Sequence, residues 1–144
     1  MDANIGKLIL RNVEEHEFKI GDKANLEQLK GKPIKMGILS ILKYKEGIEN
    51  VQLTMGIRVD IDNDTPVFTY AVSFDISING WNEMSHKEAD IKMNLSVCRM
   101  LKYCYGYIGG LLLKHTTQSG LPHFYLPIFD VKDLLPALVI KNVD

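Results

Sequence analysis

The side chains of this sequence best suited to chemistry are two thiols, Cys98 and Cys104, and four imidazoles, His16, His86, His115 and His123. A catalytic thiol needs a base within hydrogen-bond reach, roughly 3 Å. Cys104 and His115 return to nearly the same face of a helix, but the axial rise separates them by about 16 Å, so they form no nucleophile–base pair. Spacing alone leaves a pairing with His16 or His123 open, and nothing in the sequence recommends one. Cys98 and Cys104 lie about 240° apart around a helix and do not make a redox pair. Both read as small buried hydrophobes. No two histidines have the i, i+4 spacing of a helical metal pair, and none has a second ligand type at zinc-site spacing. The stretch "GYIGGLLLKH" (106–115) lacks the Gly-Lys-Ser/Thr of a phosphate loop, and its glycines lie inside a helical pattern rather than before it. Asp60, Asp62 and Asp75 fall on the polar sides of strands, which leaves no carboxylate expected on an apolar face for general-acid work. The expectation is a protein without catalytic residues, metal or cofactor, and not an enzyme.

The elements that carry these residues divide the chain clearly. In "VQLTMGIRVDID" (51–62) Val51, Leu53, Met55, Ile57, Val59 and Ile61 alternate with Gln52, Thr54, Gly56, Arg58, Asp60 and Asp62. Period-2 alternation puts the two sets on opposite faces of one long strand. "VFTYAVSFDISI" (67–78) repeats the pattern with Phe68, Tyr70, Val72, Phe74, Ile76 and Ile78, and "NDTP" (63–66) between them supplies turn chemistry. An antiparallel hairpin with one apolar and one polar face follows. Upstream, "KLILRNVEEHEFKI" (7–20) changes phase midway, with Ile9 and Val13 facing one way and Phe18 and Ile20 the other, as a bulge would produce. "IKMGILSILKYK" (34–45) slips phase near Leu39. "GDKANLEQLKGKP" (21–33), between these two strands, is too long for a tight hairpin and predicts a crossover loop.

After Trp81 the period becomes helical. "SHKE" (85–88) predicts a capping box with Ser85 as N-cap and Glu88 as its partner. Val97, Cys98, Leu101, Cys104, Tyr105, Ile108, Leu111 and Leu112 recur at three- and four-residue steps up to Gly120. Asp130 is placed to cap a short last helix that Pro136 interrupts or ends. The predicted architecture is α+β: a four-stranded antiparallel sheet with a crossover loop, then a long helix on one face and a short C-terminal helix.

A chain of 144 residues suits a single domain, residues 1–144, with its own core. Its net charge of −1 argues against a nucleic-acid partner. "YCYGYIGGLLL" (103–113), between Lys102 and Lys114, is too short to insert into a membrane. Two cysteines in a helical apolar pattern and an amino terminus without a basic signal region predict a cytoplasmic protein.

Two features remain. Gly106, Gly109 and Gly110 each disfavour a helix interior by about 1 kcal/mol relative to alanine, so close packing must offset them, either within the chain or against another subunit. After the helix, Leu121, Phe124, Tyr125, Leu126, Ile128 and Phe129 crowd into nine positions of proline-extended chain. That segment either closes the core or lines an apolar groove.

The order of these parts resembles the SecB protein-export chaperones, most clearly in "SGLPHFYLPIFDVKDLL" (119–135). "MLKYCYGYIGGLLLKHTTQ" (100–118) is similar in position and small-residue content, without the family's usual proline and Ala-Arg-Glu. The resemblance implies a holdase chaperone that binds unfolded or non-native polypeptide, active in protein export and transport or dedicated to an antitoxin. It implies a homotetramer built as a dimer of dimers. It places a client groove at Leu26, Leu29, Ile34, Met36, Leu121, Phe124, Leu126 and Phe129. It places the oligomer interface on the helix at Leu101, Tyr105, Gly106, Gly109, Gly110 and Leu113. The near-balanced charge, and the short "PALVIKNVD" after Leu135, argue against docking of the SecA motor. The alternative is a hotdog-like acyl-thioester enzyme or apolar-ligand-binding protein, in which the long helix usually follows the first strand instead of the fourth.

Overall fold

The structure, a computed structural model, describes residues 7–21, 34–61, 65–121 and 125–143. Its centre is the expected hairpin, β4 (Asn50–Ile61) and β5 (Thr65–Ile78), paired antiparallel with Leu53 opposite Phe74 and Met55 opposite Val72. Every apolar residue of the two alternating sets is buried. The register shifts once, between Val59 and Asp60, and there Val67 and Phe68 are both buried. Residues 62–64, which include the first half of the expected turn, lie outside the described residues, and Thr65 and Pro66 open β5.

β1 (Leu8–Glu15) and the two-residue β2 (Lys19–Ile20) both pair with β5, whereas β3 (Ile34–Tyr44) pairs with β4. The chain between Gly21 and Ile34 therefore passes from one side of the hairpin to the other, the crossover that its length predicts. The sheet order is β1-β5-β4-β3-β6, and the sheet is six-stranded and mixed instead of four-stranded. Two extra strands account for the difference. The amino-terminal strand is split into β1 and β2. The tail adds β6 (Leu138–Asn142), parallel to β3 with Ser40 opposite Leu138.

The phases of the outer strands also differ from the sequence reading. The bulge falls between Leu10 and Asn12. It puts Leu8, Leu10 and Val13 on the core side and leaves Ile9 exposed, so Ile9 and Val13 do not share a face. β3 does not slip at all. Met36, Ile38, Ser40, Leu42 and Tyr44 face the core in strict alternation, and Leu39 and Ile41 are simply apolar residues on the outer face.

The helical region is α1 (Glu88–Met93) and α2 (Leu95–Ser119), broken at Asn94. The Ser85 capping box does not form. The Ser85 hydroxyl donates to Asp90 at 2.6 Å and accepts from the Lys87 N–H at 3.3 Å, while Glu88 pairs with Lys92. Asn94 is the effective cap: its side-chain oxygen accepts from the Ser96 and Val97 N–H groups at 2.9 and 3.2 Å. Asn94→Ala is expected to lower stability by about 1 kcal/mol, the usual worth of a side-chain N-cap, measured as a shift in the urea midpoint. α2 ends where Gly120 adopts φ 77°, a left-handed conformation that glycine takes without penalty. Val97, Met100, Leu101, Cys104, Ile108 and Leu112 bury one stripe of α2 on the apolar face of the sheet. The last helix, α3 (Val131–Leu134), opens with the Asp130 cap, reciprocated by the Asp133 side chain.

Candidate peptide-binding face

The apolar face of the sheet is not covered evenly. Along the core side of β3, Leu42 is fully buried and Ser40 likewise, Ile38 and Met36 are half-buried, and Ile34 is 50% exposed. The cover therefore thins towards the start of β3. A second edge of the core is formed by residues 125–130, which run back along α2 and which, with Leu121, we call the strap. Tyr105 stacks on Phe129 with ring centroids 5.6 Å apart, and its hydroxyl donates to the Pro127 carbonyl at 2.6 Å. Leu126 lies against Gly109, where an added Cβ would meet its Cδ1 at 3.5 Å. The strap faces two ways: Leu121, Leu126 and Phe129 pack on the core, and Tyr125 and Ile128 point outward, Ile128 being fully exposed.

Of the residues assigned to the groove, Met36, Leu121, Leu126 and Phe129 pack against one core cluster, and Ile34 continues the same face outward. Leu26, Leu29 and Phe124 lie outside the described residues. Of those assigned to the subunit interface, Leu101 and Tyr105 are buried within this chain, Gly109 is occupied by Leu126, and Leu113 is half-buried. Gly106 and Gly110 sit in open space on the outward side of α2, with Tyr103 and Tyr107 exposed beside them.

The titratable residues sort themselves by face. Burial pushes the Cys104 thiol up to about 12 and also raises Cys98, which removes thiolate character from both. His16 sits on the outer face, 2.7 Å from the Ser73 hydroxyl, which in turn bonds Thr54. His86 stacks on Trp81 at 4.5 Å and hydrogen-bonds its carbonyl at 2.8 Å. His123 is outside the described residues. Among the described residues no three His, Cys, Asp or Glu side chains gather as a metal site, and no helix is long and apolar enough to cross a membrane.

One constellation was missed. The bulge in β1 turns Glu15 onto the apolar side, so a carboxylate does stand there. It accepts from the Tyr70 hydroxyl and meets His115 Nε2 at 2.8 Å. The Tyr70 bond, then the His115 bond, hold the Glu15 carboxyl below its ordinary range against the opposing effect of desolvation. Burial, and then the bond to Glu15, push the Tyr70 hydroxyl well above the usual phenol range. The only sequence signal for this trio was the phase change within residues 7–20, which the sequence reading put after Val13 and the structure puts between Leu10 and Asn12.

A long hairpin flanked through a crossover, one long helix laid on its apolar face and an extended return segment together make the SecB-like fold. The chain matches the SecB-like chaperone Rv1957 of Mycobacterium tuberculosis, solved in complex with a ChAD peptide from the Rv1956 HigA1 antitoxin, with a TM-score of 0.61 and 11% identity over 85% of this chain and 88% of that one. A Streptococcus agalactiae protein of unknown function aligns with a TM-score of 0.44 and 13% identity, over 85% of this chain and 98% of that one. No family model matches the sequence, and no curated protein matches it.

Proposed function

We propose that this protein is a non-enzymatic holdase that binds non-native polypeptide along the apolar face between the start of β3 and the strap. The observation that carries the reading is the graded exposure of that face along β3, from the fully buried Leu42 and Ser40 through the half-buried Ile38 and Met36 to the exposed Ile34. Apolar contact is non-directional and suits extended chains of unspecified sequence. The peptide carried by the mycobacterial SecB-like chaperone supports a polypeptide ligand, and an antitoxin client fits at least as well as a general export role. A cytoplasmic site of action fits such clients.

Assembly as a dimer of dimers is part of the same proposal. Gly106 and Gly110 have no neighbour within the described chain to offset their helix penalty, so a second copy packed closely on the outward face of α2 supplies the missing contact. The expected result is near-stoichiometric suppression of light scattering from a chemically unfolded, aggregation-prone client, with a solution mass of four chains by multi-angle scattering. Undiminished scattering at tenfold excess of the protein removes the holdase reading, and a monomeric mass removes the assembly.

A further inference from the structure

Glu15, Tyr70 and His115 come from three elements, β1, β5 and α2, and they meet at the root of the crossing connection. The chain that follows Glu15 is thinly held. β2 is only two residues long, and the flanking backbone bonds run from the His16 N–H to the Ala71 carbonyl and from the Gly21 N–H to the Val67 carbonyl, both 2.9 Å. Gly21 lies so close to the Pro66 carbonyl that any side chain there would collide with it. Between these two bonds Phe18 turns inward, 5.2 Å from the Phe68 ring and 5.8 Å from Tyr70. The His115 ring lies over it, 5.0 Å away and within 12° of parallel. One histidine thus both bonds Glu15 and covers Phe18.

We propose that Glu15, Tyr70 and His115 form a clasp that closes while the Glu15 carboxylate is ionised and opens when it takes a proton, freeing residues 16–21 and uncovering Phe18. An ionised carboxylate has acceptor sites for both donors; protonated, it carries a donor of its own and loses the charge assistance. The Tyr70 ring is buried, so its hydroxyl is held at this spot and its bond to the carboxylate contributes to keeping the clasp closed. The charged and titratable groups facing the pair are His115 and Lys114, both favouring the ionised carboxylate, and Tyr107, which faces Tyr70. Protonating His115 leaves it a donor, so only the carboxylate ends the contact. Because Glu15 is held low in the folded chain, its contribution is complete above the ordinary carboxylate range and disappears as pH falls through its lowered value.

The test is pH-resolved hydrogen exchange of the whole chain, corrected for intrinsic rates, and it needs no client. The Gly21 and His16 amides of the wild type are expected to exchange about 10-fold faster, relative to β4, once Glu15 is protonated. Glu15→Gln is expected to show that faster rate already at neutral pH, without further pH dependence. His115→Phe keeps a ring on Phe18 but deletes the bond, and is expected to give a smaller rise of about 3-fold. Wild-type rates in either variant at neutral pH overturn the clasp. So does an equal acceleration of β4 amides, which marks general destabilisation instead of local opening.

Discussion

Phe74→Ala is expected to remove about 3–5 kcal/mol of folding free energy, the usual range for a buried phenylalanine truncated to alanine. Phe74 is fully buried on β5, the strand that pairs on one side with β1 and on the other with β4. It sits opposite Val13 and Leu53, and it meets the Tyr107 ring edge-on at 5.5 Å. Its loss leaves a cavity between the two layers that relaxation of the sheet and α2 fills only in part. A domain of this kind holds roughly 5–15 kcal/mol in all, so the variant forfeits a large share. The measurement is a urea titration in which the midpoint falls while the slope stays constant. Leu39→Ala, on the outer face and half exposed, is the control and is expected to cost less than about 0.5 kcal/mol. Equal midpoints for the two variants would contradict the assignment of the two faces.

The second large effect concerns affinity alone. Ile128 is fully exposed, so Ile128→Asp is expected to leave the urea midpoint within about 0.5 kcal/mol of wild type. If the strap borders the client path, a bound peptide covers this side chain, and burying an isoleucine is worth about 1.5–3 kcal/mol. The variant is therefore expected to bind an extended apolar peptide about 10- to 100-fold more weakly, read by fluorescence anisotropy. Phe129→Asp makes the contrast: its ring stacks on Tyr105, so that variant is expected to lose both affinity and stability. Unchanged affinity in Ile128→Asp moves the client path away from the strap.

The hairpin and the long helix were legible because each obeys a single period over many residues, and burial follows that period without exception in β4. Elements were misread where one residue breaks the pattern for a tertiary reason. Ser40 is a buried polar residue in the middle of β3, and it made a regular strand look dislocated. Asn94 took the place of a stronger-looking local cap at Ser85: its side-chain oxygen accepts from two N–H groups, whereas the Ser85 hydroxyl is engaged with Asp90 and Lys87. The tail strand β6 follows Pro136 closely and is only five residues long, too short for its alternation to be distinguished. Glu15 was the least legible. Its partners are 55 and 100 residues away in the chain, and its face depends on where a bulge falls within three residues. Of the residues assigned to the groove, Met36, Leu121, Leu126 and Phe129 pack against the core, and a client role for them belongs to the proposal above. On α2, Leu101 and Tyr105 belong to the stripe spent on the chain's own core, whereas Gly106 and Gly110 lie on its outward side.

The sealed indole of Trp81 has a practical corollary. It is the one tryptophan in the sequence, it is fully buried, and it is shut in by the rings of Tyr44 and His86. Tyr44 ends β3 at the edge opposite Ile34, about 33 Å away at the rise of an extended strand. The protein's ultraviolet emission thus monitors whether the domain is intact, and stays blind to whatever lies on the far end. Occupancy and integrity can be followed in one cuvette through separate optical channels.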